Sequence, residues 1–330
     1  MGAVGIIANP YSSKDIRRLV GSARIVADWE KVNILRRIII GLQSTGVDEL
    51  YAMNDSSHLI VRACDYPGIF IKPQFLDQLV FGNPNDTMVA SKKMAEIGVK
   101  VLISLGGDGT NRMIAKGNDQ HCLLPVSTGT NNVFPYDIEG THMGLCAGLL
   151  ATGAVEASEC TVPSKQIIVT SDDGLHDIAL VDLAISYSSY VAARAIWNVN
   201  DLYEVFLTRC EPLDLGLASV GARLHPITVN DDQGLAYKIS NDGNSVRKIL
   251  APIGPGTVQE ALISEWNILQ LGEKLTREIS RCTLAFDGER ETQIINPQTI
   301  QIEIKRVGPY IVDVKKCIQL GINARCFDVN

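Results

Sequence analysis

Apolar and polar positions follow two different patterns along this chain. In the first half, short apolar runs are separated by segments with helical spacing. Val4 to Ala8 is one such run and stops at Asn9-Pro10, where proline turns the chain out of a strand. Ser12-Ser13-Lys14-Asp15 predicts a helix start with a serine placed to cap it. Trp29 to Leu42 predicts a second helix and Asp48 to Met53 a short strand. Ala90, Met94 and Ile97 recur at i, i+4 and i+7, so the helix beginning near Asn85-Asp86 carries one apolar face, and Gly98 is placed to close it. Val99 to Leu105 is almost continuously apolar, as a strand covered on both faces would be, and its glycine boundaries favour a strand over a buried helix. Leu123 to Val126 predicts a further strand and Thr141 to Leu150 a further helix. This alternation predicts a doubly wound parallel sheet, with its ligand crevice beyond the carboxyl ends of the strands.

Past Gly153 the pattern changes. Gln166–Thr170, Ile178–Ser186, Ala236–Ser240, Lys248–Ile253, Val258–Ile263, Cys282–Phe286 and Thr299–Lys305 read as short strands separated by Asp, Gly, Asn and Pro, which predicts an antiparallel β-rich part. A helical interruption is predicted near Val199–Thr208, and Tyr310 to Val329 has a mixed pattern. The expected fold class is therefore α/β plus β: an α/β domain over residues 1–153, a β-rich domain over 154–309, and a C-terminal segment over 310–330. No repeat and no low-complexity segment interrupts this plan.

The length of 330 residues fits two domains. With 46% hydrophobic and 20% charged residues, the composition is that of a folded chain. The 37 acidic and 30 basic groups leave a net charge of −7, which gives no general attraction to nucleic acid or anionic lipid. A small phosphate-bearing ligand needs only a local field and stays compatible with that balance. The eight cysteines are scattered without a CxxC pair, which fits a reducing compartment better than a disulfide framework. The five histidines are too far apart to propose zinc. No signal peptide, myristoylation signal or uncharged apolar stretch of about 18 residues is present, so a cytoplasmic chain is expected, with no membrane and no nucleic acid among its partners.

Three turns lie where such a sheet aims its ligand. In Gly106-Gly107-Asp108-Gly109-Thr110, directly after an apolar strand, glycines let backbone N–H groups approach an anion, and a following helix adds its positive dipole end. Asp108 among them either caps that helix, holds Mg²⁺, or takes a proton from an attacking hydroxyl. Ser127-Thr128-Gly129-Thr130-Asn131-Asn132 repeats the device one strand later; alone it could be an ordinary polar loop. In the third, Asn9, Ser12, Ser13 and Lys14 precede a helix whose first turns carry Arg17 and Arg18, which could neutralise phosphate or simply be solvated. Walker A, GxGxxG and GxSxG signatures are all absent. Asp287-Gly288-Glu289 could bind a metal or act as an acid/base pair, but Asp-Gly is first of all a hairpin signal.

Taken together, NPYSSKDIRRLV, SLGGDGTNRMIAKG, PVSTGTNNVFP and VAARAIW resemble the ATP–NAD kinase superfamily, shared with diacylglycerol and sphingosine kinases, and within it the acetoin catabolism protein X subgroup. The resemblance covers most of the chain in order. It implies an N-terminal α/β domain, a C-terminal β-rich domain, a cleft between them, and a chain end that returns to the first domain. It also implies that Asp108 activates the acceptor hydroxyl, that Gly106, Gly107, Gly109 and Thr110 form the nucleotide-phosphate loop, and that Glu289 is an essential carboxylate, with Asp287 the candidate metal ligand. Asn9, Ser12, Ser13, Lys14, Thr128, Gly129, Thr130, Asn131 and Asn132 are the remaining candidate nucleotide contacts. The leading expectation is a Mg²⁺-dependent phosphotransferase that moves the terminal phosphoryl of ATP, or of polyphosphate, to a hydroxyl such as the 2′-OH of NAD. A kinase for another hydroxyl acceptor and a nucleotide-binding regulatory protein without turnover are the alternatives. A homo-oligomer is expected by resemblance.

Overall fold

A computed structural model describes residues 2–12, 22–23, 25–129, 132–187, 198–240 and 244–328, with the backbone alone at 290 and 291. The predicted helix after Ser12, Arg17, Arg18 and the whole VAARAIW segment lie outside the described residues.

Among the described residues, eighteen strands fall into three sheets. The first contains β1 (Val4–Ala8), β2 (Leu50–Ala52), β3 (Pro73–Phe75), β4 (Val101–Gly106), β5 (Cys122–Ser127) and β6 (Thr161–Pro163), joined by β18 (Tyr310–Val312), in the order β3-β2-β1-β4-β5-β18-β6. All pairings in it are parallel except β18 with β6. Every residue of β1 and β4 is buried, as a doubly covered strand requires. Alternation decides which layer each side chain meets. Val4, Ile6 and Ala8 pack with the helices Asp28–Ser44 and Gly140–Thr152, whereas Ile7 and Leu102 join Ala90, Met94 and Ile114 on the other face.

The helix Pro84–Ile97 opens with a capping box between Asn83 and Asp86 and closes at Gly98, whose φ is 84°. Its buried face is Thr87, Ala90, Ser91 and Met94; Ile97, expected on that face, is the last residue of the helix and is 44% exposed.

The second sheet contains β9 (Asp182–Ser186), β10 (Leu202–Leu207), β11 (Gln233–Ile239), β12 (Arg247–Gly254), β13 (Thr257–Gln270), β15 (Cys282–Phe286) and β16 (Glu289–Ile294) in the order β12-β13-β11-β10-β9-β15-β16. The third, ordered β14-β17-β7-β8, contains β7 (Gln166–Ser171), β8 (His176–Ala179), β14 (Lys274–Ile279) and β17 (Gln298–Lys305). Both are antiparallel. Ile167, Val169, Ile300 and Ile302 of the third sheet pack with Leu183, Ile185, Phe206 and Leu284 of the second. The helix Leu217–Leu224 packs with Val205, Leu235 and Ala261 in a separate cluster of the second sheet.

Two expectations are corrected here. The predicted helical interruption near Val199–Thr208 is a short 3₁₀ turn, Val199–Asp201, followed by the strand β10, where Tyr, Val and Phe favour the pleated surface. The predicted single strand Ile178–Ser186 is two strands in different sheets, β8 and β9, broken at Leu180-Val181. The backbone N–H groups at that break go to a side chain, described below. After β18 the helix Val314–Asn323 packs its Val314 and Cys317 into the cluster that holds Met143 and Cys146. Among the described residues no helix is long and apolar enough to cross a membrane, and all eight cysteines are free thiols.

Candidate functional site

In the first sheet the strand order reverses between β1 and β4, which makes their carboxyl ends the switch point where an open α/β sheet leaves a crevice. Asn9 follows β1, and Gly107 follows β4 and precedes the helix Asp108–Gly117. The turn has no room for side chains. A Cβ on Gly106 would lie 2.5 Å from Thr110 Oγ1, and one on Gly107 would lie 2.8 Å from Asn132 Oδ1. Asn111, fully buried, braces the turn from behind: its Nδ2 donates to the Gly107 carbonyl at 2.9 Å and its Oδ1 accepts from Ser104 Oγ at 2.6 Å.

The other two turns are bonded to this one or to each other. Asn9 Nδ2 donates to Thr110 Oγ1 at 2.9 Å. Thr128 Oγ1 donates to Ser12 Oγ at 2.7 Å, and Ser12 Oγ donates to the Asn9 carbonyl at 2.8 Å. Asn132 Nδ2 donates to Ser127 Oγ at 3.0 Å, and Ser127 Oγ donates to the Gly129 carbonyl at 2.9 Å. Asn9, Ser12, Gly106, Gly107, Thr110, Thr128, Gly129 and Asn132 thus share one rim; Ser13, Lys14, Thr130 and Asn131 lie outside the described residues.

Asp108 is the first residue of its helix, after Gly107 at the N-cap position. Its Oδ1 accepts from the backbone N–H groups of Val133 (3.1 Å) and Phe134 (2.9 Å), and its Oδ2 also meets the Val133 N–H at 3.1 Å. This clamp fixes the orientation of the carboxylate.

The hairpin reading of Asp287-Gly288-Glu289 is what the structure shows. Phe286 and Glu289 pair across a two-residue loop in which Asp287 (φ 49°) and Gly288 (φ 77°) are both left-handed, as the primed hairpin turns demand. The same hairpin brings the Glu289 carboxylate to Gly109, where a Cβ would stand 3.6 Å from Glu289 Oε1. Asp287 is 5% exposed, and its carboxylate accepts from the backbone N–H groups of Leu180, Val181 and Asp182, the first two being the donors left over by the break between β8 and β9. That occupation is different from the metal ligation expected of Asp287: its oxygens already hold a backbone segment. Among the described residues no group of three or more His, Cys, Asp or Glu is arranged to hold a metal ion.

Burial raises the Asp287 carboxyl from its ordinary 3.8 to about 7, with the nearby Asp108 charge adding to the rise and Arg112 and the amides opposing it. Between those two values the folded chain binds more protons than the unfolded chain, so stability falls as pH rises through the window, by about 1.4 kcal/mol for each unit of difference. Urea denaturation of the chain and of Asp287→Asn from pH 4 to 8 is expected to show this downward slope only in the former. Parallel curves would remove the proton uptake from Asp287.

Two buried cations were not legible as site residues. Lys31 is fully buried, and its Nζ donates to the carbonyls of Pro10 (2.8 Å), Ser12 (2.8 Å) and Asn9 (3.3 Å), so it gathers the turn after β1. Its signal in the sequence was a lysine on the stripe Lys31, Leu35, Ile38 and Leu42, otherwise apolar at helical spacing. Arg112 is 1% exposed, bonded to Asp177 at 2.8 Å and stacked over Phe286 at 4.6 Å, which ties the helix Asp108–Gly117 to β8 and β15. Burial opposes the charge on Asp177, yet Arg112 and Lys116 outweigh it and hold that carboxyl below its ordinary value.

The acetoin catabolism protein X C-terminal domain family model matches residues 165–307. Acetoin catabolism protein X of Cupriavidus necator is 32% identical over 327 residues, covering 96% of this chain and 91% of that protein. Among solved structures, yeast NADH kinase complexed with NADH superposes with a TM-score of 0.56 at 13% identity, over 100% of this chain and 89% of its own. A putative diacylglycerol kinase from Bacillus anthracis strain Sterne matches with a TM-score of 0.47 at 13% identity, over 94% of this chain and 96% of its own. The fold is similar to that of NADH kinase. At 32% identity along nearly its whole length, the chain belongs to the acetoin catabolism protein X family.

Proposed function

We propose that this chain is a phosphotransferase that moves the terminal phosphoryl group of ATP to a hydroxyl acceptor, with the 2′-OH of NAD as the acceptor of first choice. The observation that carries this reading is the Asp108 carboxylate, clamped by two amides beside a side-chain-free turn at the sheet's switch point. Phosphoryl transfer asks chiefly for positioning and for neutralised charge. The glycine turn and the amino end of the helix Asp108–Gly117 supply donors for the phosphates. Asp108 takes the proton of the acceptor hydroxyl as its oxygen bonds to the terminal phosphorus; the bond from that phosphorus to the bridging oxygen breaks, and ADP leaves with the electron pair. Mg²⁺ takes most of its ligands from phosphate and water, so this donor set fits a cation carried by the triphosphate, with Glu289 as the protein carboxylate beside it, rather than a resident one. Its chemistry there is to neutralise charge on the transferred group.

The proximity of Glu289 to Gly109 favours a second reading, a kinase for another hydroxyl acceptor with Glu289 assisting. One experiment separates these: ADP release measured with NAD, NADH and acetoin-pathway metabolites, each with and without Mg²⁺, followed by product mass. The first reading expects ADP together with NAD heavier by one phosphoryl group. ADP with a different phosphorylated product selects the second. Saturable ATP binding with no ADP from any acceptor rejects both and leaves a nucleotide-binding regulator.

A further inference from the structure

Two adjacent residues at the end of β10 stand behind both carboxylate clamps. Thr208 Oγ1 donates to the Leu180 carbonyl at 2.6 Å, and the N–H of that same peptide unit, on Val181, donates to Asp287 Oδ1 at 2.7 Å. The Thr208 backbone N–H donates to the Val181 carbonyl at 2.9 Å, whose peptide N–H, on Asp182, also reaches Asp287 Oδ1 at 3.2 Å. Arg209 repeats the arrangement on the other acid. Its Nη2 donates to the Val133 carbonyl at 2.5 Å, and the N–H of that peptide unit, on Phe134, donates to Asp108 Oδ1 at 2.9 Å. The Arg209 guanidinium is held in place: the residue is 9% exposed and its Cζ lies 5.0 Å from the centroid of the Phe134 ring.

In a trans peptide the C=O and N–H point in opposite directions across a rigid plane. The peptide between Val133 and Phe134 therefore forms a relay, with the cation of Arg209 at one end and the carboxylate of Asp108 at the other. A charged donor on the carbonyl makes a stronger hydrogen bond than a neutral one, and hydrogen bonds in series polarise one another. Such an N–H is a better donor, and it holds Asp108 at one orientation.

We propose that Arg209 is a positioning residue for Asp108, acting through the Val133–Phe134 peptide and never touching the substrate. The proposal rests on Asp108 being the base in the reading above, but the relay itself can be measured without turnover. Charged groups near Asp108 include Asp287 and Glu289 on the β15–β16 hairpin, Arg112 one turn along its own helix, and Arg209 through the peptide.

The test uses Arg209→Met, which keeps the stem and removes the guanidinium, and Arg209→Lys, which keeps a cationic donor. In ¹H–¹⁵N spectra of the full chain, the Phe134 amide proton of Arg209→Met is expected to move upfield, toward its position in Asp108→Asn, and to exchange with solvent about tenfold faster; Arg209→Lys is expected to lie between. In turnover, Arg209→Met is expected to lower kcat about tenfold at unchanged KM for ATP, with part of the loss restored by lysine and no further loss when Asp108 is already asparagine. An unmoved Phe134 amide in Arg209→Met overturns the proposal, as does a kcat loss that is fully additive with Asp108→Asn. Should Arg209→Met fail to fold, an Arg209→Lys spectrum identical to that of the unaltered chain would overturn it equally. If Asp108→Asn itself turns over normally, the base assignment fails while the amide shift still decides the relay.

Discussion

Asp108→Asn is expected to lower phosphoryl transfer about a thousandfold, with the KM for ATP unchanged and the fold retained. General-base contributions lie at about 10²–10⁴-fold, and an interaction used only in the transition state is lost from kcat and kcat/KM alike. Asparagine keeps one oxygen for the Phe134 and Val133 amides, so the clamp survives in part and the cost in stability is about 1 kcal/mol. The same substitution removes a negative charge that raises the Asp287 carboxyl, so the pH window over which Asp287 takes up a proton closes at its upper end. Steady-state kinetics with varied ATP and acceptor, run beside a urea denaturation series, check both effects. Full turnover in a folded Asp108→Asn would show that the clamp on this carboxylate serves the fold alone.

Lys31→Met is expected to cost about 3 kcal/mol of stability and to weaken ATP binding about tenfold. Methionine keeps the unbranched stem in a buried place but withdraws the Lys31 donor from the buried Pro10 carbonyl and the half-buried Ser12 carbonyl, while the Asn9 carbonyl keeps its bond from Ser12 Oγ, and an orphaned buried acceptor costs about 1–3 kcal/mol before relaxation. The loss does not stay local. The turn that Lys31 gathers also carries the Asn9 bond to Thr110 and the Ser12 bond from Thr128, so its release loosens the contacts between all three turns of the rim. Equilibrium unfolding gives the first number and a calorimetric ATP titration the second. A variant as stable as the parent would mean that the carbonyls of Pro10 and Ser12 find other donors.

The elements nearest the candidate site were the most legible ones. Val99–Leu105 was legible as a buried strand, which the structure places at Val101–Gly106, because continuous apolar character bounded by glycine has few other solutions, and the glycines after it announced a tight turn. The Asp-Gly signal at 287–288 correctly implied a tight hairpin. What this local pattern could not carry was the company each residue keeps. Leu180 and Val181 look like the middle of one strand, since nothing in their neighbourhood reveals that a carboxylate 107 positions away takes the Leu180 N–H. Val199–Thr208 misled in the same manner: its composition allows a helix, and pairing with both β9 and β11 makes most of it a strand.

Periodicity and turn chemistry alone determined that this chain alternates strands and helices, then changes to β structure, and that a glycine-framed aspartate follows a fully buried strand. Those properties depend on residues a few positions apart, where sterics and burial act on every chain alike. Only the tertiary structure decided that β1 and β4 lie side by side, that Glu289 comes over Gly109, and that Lys31 and Arg209 stand behind the acidic rim. The physical reason is that a buried donor or acceptor must find a partner wherever packing leaves one, and the distance along the chain sets no limit on where that partner is.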